Sequence, residues 1–463
     1  MLLRQPSRAR RAGTFVFAFV LGAATTAGLA VLAASPRKGD ALYPKVELFA
    51  KVLADVENNY VEDVDETRLI YGAIHGMLAT LDPHTSFMDP SEYRALKGDT
   101  AGEFGGLGFE FAQKDGALIV IGPIDDTPAA RAGIRAGDVI TAIDNVSTRI
   151  MSIADATARL RGAAGTPVSL SLLRPDFTQP RTISLVRERV RVVSVEGRLI
   201  DGLVGYIKIR SFQDRTAIEL KKKLDELRAQ AGGAFEGLVL DLRNNPGGLL
   251  DEGIKVADRF LSRGTIVVTK GRDGRHPDEE RATEKDTEPD YPLVVLINRG
   301  TASASEVVSG ALQDNKRAFI FGTTSFGKGS VQTVIDLDDG SALKLTIARY
   351  YTPSGRSIQE RGITPDVLVR ESDDQARDVT DERMLPNHFR NTAPQDASLP
   401  PVPVERVLPF KVEGGEVITD QTLQAAVKAI HGWKYFTQAL GTERAEAALR
   451  GPNRTASAGG SSH

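Results

Sequence analysis

The chain is 463 residues long, 41% hydrophobic and 26% charged, with 58 basic against 61 acidic side chains. That length exceeds one ordinary hydrophobic core and predicts two to four domains. A net charge of −3 offers no global field for nucleic acid, and the absence of cysteine removes disulfides, thiolate zinc sites and thiol nucleophiles together.

Arg4, Arg8, Arg10 and Arg11 precede an uncharged run from Gly13 to Ala34, 22 residues long. That is enough to span a bilayer, and positive charge ahead of it keeps the N-terminus cytoplasmic and sends the rest of the chain across the membrane. Residues 1–35 therefore read as an N-terminal membrane anchor; Val31-x-Ala33 offers signal peptidase a site and leaves a cleaved signal as the alternative. Residues 40–97 read as a small helical segment, "VELFAKVLADVENNYV" and "LIYGAIHGMLATL", broken by the turn "DPHTSFMDP". A glycine-rich stretch, "AGEFGGLGFEF", then opens a region of short alternating strands and one helix, "SIADATARLRG", over 98–187.

From 188 to 370 the pattern changes. "GLVGYIKI", "GLVLDLR", "PLVVLIN" and "RAFIFG" are unbroken apolar runs of strand length separated by helical stretches, one carrying Ala217, Leu220, Leu224 and Leu227 as a single stripe. Buried strands alternating with helices mean an α/β layer. "GRDGRHPDEERATEKDTEPD" has no apolar face and reads as a solvated loop or hairpin. Residues 371–463 read as an extension: an acidic and proline-rich linker, then one helix, "DQTLQAAVKAIHGWKYFTQAL", and a Gly/Ser tail.

In "INRGTASASEVVSGAL" a strand ends and a helix begins among small residues, where unpaired N–H groups favour anionic oxygen. Ser303 is placed to act as a nucleophile with the Ala304 amide aimed at the oxyanion; the hydroxyls of Thr301, Ser303 and Ser305 would equally serve as helix caps. No histidine is well placed in local sequence as the base: His84 lies in a turn, His276 in the charged loop and His463 in the tail. Lys328 is the alternative. It stands between Gly327 and Gly329 after a buried strand, where close packing would lower its pKa, with Gln332 four residues on. In "VLDLRNNPGGLL", Gly247 and Gly248 follow another buried strand and can turn a second N–H to the same point.

Together "LDLRNNPGG", "SASE", "FGKGSVQ" and "YYTPSGRSIQERGITPDV", in this order and spread over residues 43–369, resemble the C-terminal processing peptidases, or tail-specific proteases. The resemblance implies Ser303 as nucleophile, Lys328 as general base 25 residues later, Gln332 supporting the lysine, and Gly247 and Ala304 as oxyanion donors, with Gly248 as substitute. Thr301 stands where relatives often have serine. "GGLGFEF", followed by "TPAARAGIRAGDVITAIDN", resembles the carboxylate-binding loop of a PDZ domain, formed by Gly106, Leu107, Gly108 and Phe109. The implied chain is α/β and α+β multidomain: a helical N-terminal segment, a PDZ domain and an α/β protease core of the crotonase and Clp-protease type. It implies a cell-envelope serine endopeptidase acting outside the cytoplasm on protein substrates with free C-termini, and needing no metal or cofactor. An activating adaptor and a homo-oligomer stay open as partners, and nucleic acid is not expected. A catalytically inactive PDZ scaffold is the alternative.

Overall fold

The computed structural model describes residues 42–114, 116–124, 126–174, 176–272, 274, 277–369, 381–391, 401–404 and 418–439. The chain divides into two compact units, Met1–Gly76 and Met77–His463. In the first, the helix Tyr43–Asn59 buries no residue, and the helix Glu66–Leu78 begins. Among the described residues no helix is long and apolar enough to cross a membrane, and the run at 13–34 read as an anchor lies outside them.

The second unit begins within the stretch expected to belong to the helical segment. After the turn at Asp82, Ser86–Met88 forms a strand that pairs antiparallel with Ala342–Lys344, so this piece joins a sheet of the 188–370 segment. The helix Pro90–Ala101 comes next, capped by Asp89 with Glu92 reaching back.

Residues 103–191 form a module of short strands, where 98–187 was expected to do so. Its sheet runs in the order Phe109–Lys114, Ala117–Pro123, Val139–Ile143, Pro167–Leu173, Arg181–Val186, so the strand after the glycine loop is an edge. Leu107, Leu118, Val120, Ile140, Ile143, Leu170 and Leu172 fill its core. The chain enters and leaves as an antiparallel pair, Glu103–Gly106 against Glu188–Arg191.

The α/β layer is a seven-stranded sheet whose spatial order equals chain order: β1 (Val195–Ile200), β2 (Val204–Ile209), β3 (Gly237–Asp241), β4 (Leu293–Ile297), β5 (Phe319–Gly322), β6 (Val367–Val369) and β7 (Val402–Val404). Only β1 and β2 are antiparallel; every other pairing is parallel. Both faces of β3 and β4 are buried, which explains their unbroken apolar runs. Leu238, Leu240, Leu293, Val295 and Ile297 face α1 (Thr216–Gln230), α2 (Leu250–Phe260) and α3 (Ala304–Asp314), and the stripe Leu220, Leu224, Leu227 joins them.

The opposite face revises the expected extension. Val239, Val294, Leu296, Phe321 and Val367 are covered by Ile418 and by Leu423, Ala426, Val427 and Ile430 of α4 (Gln421–His431). The helix read as an appendage beyond residue 370 closes the second half of the core. Gly237 makes room for it: a Cβ there would lie 2.5 Å from Ile430 Cγ2. Arg243 ties its start down, donating to Asp241 and to Asp420, which caps α4 through the Leu423 N–H. The charged loop is partly a hairpin, Asp278–Arg281 pairing with Thr265–Gly271, while His276 lies outside the described residues.

Ile430 is 2% exposed. Ile430→Ala is expected to cost roughly 2–5 kcal/mol, the range for truncating a fully buried aliphatic side chain, read as a lowered midpoint in urea denaturation.

Candidate active site

The carboxyl ends of β3, β4 and β5 lie side by side, where parallel α/β sheets place their ligands. Three turns leave from those ends: Leu242–Gly248, Asn298–Ala302 and Thr323–Gly329.

The first two turns are laced together, and the lacing explains the hydroxyl-rich sequence. Thr301 Oγ1 donates to the Leu242 carbonyl at 2.8 Å and accepts the Asn298 N–H at 3.0 Å. Ser305 Oγ donates to the Asn245 carbonyl at 3.0 Å, and Ser309 Oγ to that of Ser305 at 2.8 Å. Asn244 and Asn298 exchange side-chain and backbone bonds, each 2.9 Å long. Thr301, Ser305 and Ser309 are fully buried, so their hydroxyls replace water for the backbone carbonyls they meet.

Ser303 is built differently. It starts α3 at φ 56° and ψ −120°, a left-handed region that costs a non-glycine residue energy and that recurs at functional sites. Gly247 packs directly on it: a Cβ there would lie 2.8 Å from Ser303 Cβ and 3.1 Å from the Ala304 nitrogen. Gly247, at φ 101°, thus has both the conformation and the space that only glycine tolerates. Its N–H donates to Asn245 Oδ1 at 2.9 Å.

The third turn is fastened to the same helix by one carboxylate. Glu306 Oε2 accepts the N–H of Ser303 at 2.8 Å and that of Lys328 at 2.9 Å. Its Oε1 accepts the Gly327 N–H at 2.7 Å and Ser325 Oγ at 2.6 Å. Burial pushes this carboxyl up to about 7, while the four donors pull it down. The glycines beside Lys328 allow the close packing expected of them: a Cβ on Gly327 would meet the Glu360 carbonyl carbon at 3.1 Å, and one on Gly329 the Gln359 nitrogen at 2.4 Å.

Lys328 is depressed from 10.5 to about 8, first by burial and then by the charge of Lys344. Glu382, Glu306 and Asp82 act in the other direction. No acidic residue is local in sequence, yet three arrive through the fold. Burial pushes the Tyr350 hydroxyl up to about 12, against a hydrogen bond with the Ser303 side chain.

The structure therefore brings Ser303, Ala304, Gly247 and the Lys328 backbone to one place. Gln332 Nε2 donates to Ser330 Oγ at 2.9 Å and to Thr346 Oγ1 at 3.2 Å. His84, not well placed as a base in local sequence, holds buried Glu382 at 2.9 Å. Sequence reasoning missed Glu306, although Ser-x-x-Glu at a helix start is the capping-box pattern. It also missed Asp82, Lys344, Tyr350 and Glu382, which carry no local signal.

In the 103–191 module, Gly108 takes φ 76° and abuts Thr127, whose Cβ would lie 2.3 Å from a Cβ at 108. The Gly108 carbonyl accepts the Ile124 N–H and Thr127 Oγ1, both at 2.9 Å, and the Leu107 carbonyl accepts the Ala129 N–H at 2.8 Å. These bonds fix the loop between Gly106, where the entry strand ends, and Phe109, where the edge strand begins.

The fold and this site define a serine peptidase carrying a peptide-binding module. The profile of peptidase family S41 matches residues 203–369, that of a PDZ domain residues 119–174, and that of the N-terminal domain of the activating protease CtpB residues 12–92. A carboxy-terminal-processing protease of Bartonella bacilliformis is 44% identical over 77% of this chain and 82% of its own length. The carboxy-terminal processing protease CtpA of Bacillus subtilis is 35% identical over 72% of this chain and 70% of its own. Among solved structures, a photosystem II D1 C-terminal processing protease aligns at 36% identity over 70% of this chain and 92% of that one, with a TM-score of 0.43. The chain belongs to the S41 family of carboxy-terminal processing proteases.

Lys328 titrates lower in the folded chain than in the unfolded one, so wild-type stability rises with pH between about 8 and 10.5 and carries the full penalty below about 8. Lys328→Met is therefore expected to raise stability at pH 7, by at most about 3 kcal/mol. The gain should shrink at pH 10, as urea denaturation at the two pH values would show.

Proposed function

We propose that this serine protease cleaves peptide bonds with Ser303 as nucleophile and Lys328 as general base. Neutral Lys328 takes the proton of Ser303 Oγ as that oxygen attacks the peptide carbonyl, then passes it to the departing amine. A water deprotonated by the same amine releases the acyl-enzyme. The Ala304 N–H at the start of α3 and a donor from the Gly247–Gly248 turn stabilise the oxyanion. Gly247 serves in that role once Asn245 Oδ1 yields its N–H, with Gly248 as the substitute. Gln332 supports the lysine side of the site through the hydroxyls of Ser330 and Thr346.

The observation that carries this reading is the Glu306 carboxylate, one oxygen of which holds both the Ser303 and the Lys328 N–H. An inactive scaffold has no use for a strained serine fastened to a buried, charge-depressed lysine. Substrates enter by their C-termini: the Gly106–Phe109 loop offers N–H groups to a terminal carboxylate, and the edge strand Phe109–Lys114 accepts the preceding residues as an added strand. The uncharged run at 13–34 behind four arginines holds the protein to a membrane with its catalytic part outside the cytoplasm, in the periplasmic envelope.

Ser303→Ala is expected to reduce cleavage of a reporter peptide by on the order of a million-fold, with thermal unfolding nearly unchanged and fluorophosphonate labelling lost. Lys328→Arg should be as inactive as Lys328→Ala, because guanidinium keeps its proton. Full activity in Lys328→Arg would make the lysine structural.

Wild-type kcat/KM should rise with pH along one ionisation near the Lys328 value of about 8 and then level off. Amidating the C-terminus of a good substrate should raise its KM; equal cleavage of free and amidated tails would remove the carboxylate role of the loop. Recovery of a mature chain starting near residue 35 in a salt-washed soluble fraction would replace the anchor by a cleaved signal.

A further inference from the structure

The stretch "SIQERG" folds back against the Lys328 turn, and Gln359 makes the contact. Its side chain is fully buried. Oε1 accepts the Gly329 N–H at 3.0 Å, while Nε2 donates to Glu382 Oε1 at 2.8 Å and to the Phe389 carbonyl at 3.0 Å. These partners fix which end of the amide is which, because an N–H needs an acceptor and a carboxylate needs a donor. The two chains are also in close contact: a Cβ on Gly329 would lie 2.9 Å from Gln359 Cα and 3.0 Å from its Cβ.

Three successive N–H groups of the turn therefore end on two side chains. Those of Gly327 and Lys328 go to Glu306, and that of Gly329 goes to Gln359. The carbonyls are held as well. That of Phe326 accepts the Glu382 N–H at 3.2 Å, that of Gly327 the Glu360 N–H at 2.9 Å, and that of Gly329 the Tyr350 N–H at 2.8 Å. Glu382 is itself fully buried, with His84 Nε2 at 3.1 and 2.9 Å from its two oxygens. Asn391 Nδ2 donates to the Gln359 carbonyl at 2.8 Å, so the 381–391 segment grips both the side chain and the backbone of Gln359. Lys328 thus springs from a peptide unit clamped on one side by the Glu306 carboxylate and on the other by the Gln359 amide. Glu382, Phe389 and Asn391, which steady that amide, lie beyond the residues matched by the peptidase profile.

We propose that Gln359 is a positioning residue for the general base: by fixing the peptide that follows Lys328, it sets where the amine meets Ser303 Oγ. The proposal rests on Lys328 being the base. The role calls for an amide of this length. A hydrocarbon of the same size would leave the buried Gly329 N–H without an acceptor, a carboxylate would face Glu382 with like charge, and asparagine would be one methylene short of spanning both partners.

The test measures kcat and KM of the full chain carrying Gln359→Met on a reporter peptide, with variant and wild type each taken on the plateau of its own pH profile. There the lysine is neutral in both, so a difference reports its placement and not its proton affinity. The plateau kcat is expected to fall about a hundredfold, the loss that a misplacement of about 1 Å can bring, with KM unchanged and fluorophosphonate labelling of Ser303 slowed in proportion. Gln359→Asn should lose kcat in the same way, and it takes the place of Gln359→Met should that variant not fold. A wild-type plateau in a folded variant overturns the proposal, and so does a raised KM with kcat unchanged. Lys328→Arg measured in parallel separates the two readings. Near wild-type activity there removes Lys328 as the base and the use assigned to Gln359 with it, whereas an inactive Lys328→Arg beside a fully active Gln359→Met removes Gln359 alone.

Discussion

One buried carboxylate organises the catalytic end of this molecule. Glu306 stands one turn into α3, out of water, with three backbone N–H groups and one hydroxyl directed at its two oxygens. Ser303 comes from the turn after β4 and Lys328 from the turn after β5, so nothing in the local chain obliges them to meet. A shared acceptor does. The desolvation of Glu306 is costly, and four donors offset it only when all are in place, which makes the arrangement cooperative. Withdrawing the acceptor would strand buried donors from both turns at once. The strain at Ser303 is sustained by the same contact, since its N–H points to Glu306 in the left-handed conformation observed.

Beneath that contact lies a sheet buried on both faces, and the two faces are supplied by different parts of the sequence. Helices α1, α2 and α3 lie between the strands they cover, and the α/β alternation announces them. The other face waits for α4, which comes after a long acidic and proline-rich stretch. Arg243 joins this late helix to the motif that carries Gly247, because it bonds Asp241 at the end of β3 and Asp420 at the cap of α4. Packing on the far side of the sheet is thereby connected to the turn beside Ser303.

How much of this was legible depended on whether the signal was local. The runs of β3 and β4 and the stripe Leu220, Leu224, Leu227 were readable because burial imposes period and composition on a single element. Gly327 and Gly329 were readable as close-packing positions, whereas Gly247 was readable only as a turn, its packing on Ser303 being long-range. The hydroxyls of Thr301 and Ser305 were legible as part of a cluster but not in their work of satisfying the Leu242 and Asn245 carbonyls in a neighbouring turn. Asp82, Lys344 and Glu382 converge on Lys328 from three separate segments and leave no pattern of spacing. The place of α4 was missed for the same reason: its apolar face showed that it packs, but not on what. The partners of the Gln332 amide, Ser330 Oγ and Thr346 Oγ1, were not legible, because they depend on how two strands pair.

The late position of α4 also sets an order of events during synthesis. The turns carrying Gly247, Ser303 and Lys328 are made well before the residues that finish the core, so the nascent chain carries them on a sheet with one bare apolar face. Until α4 emerges that face has no cover, and transiently exposed apolar surface of this kind is what makes a partly made chain prone to associate with others.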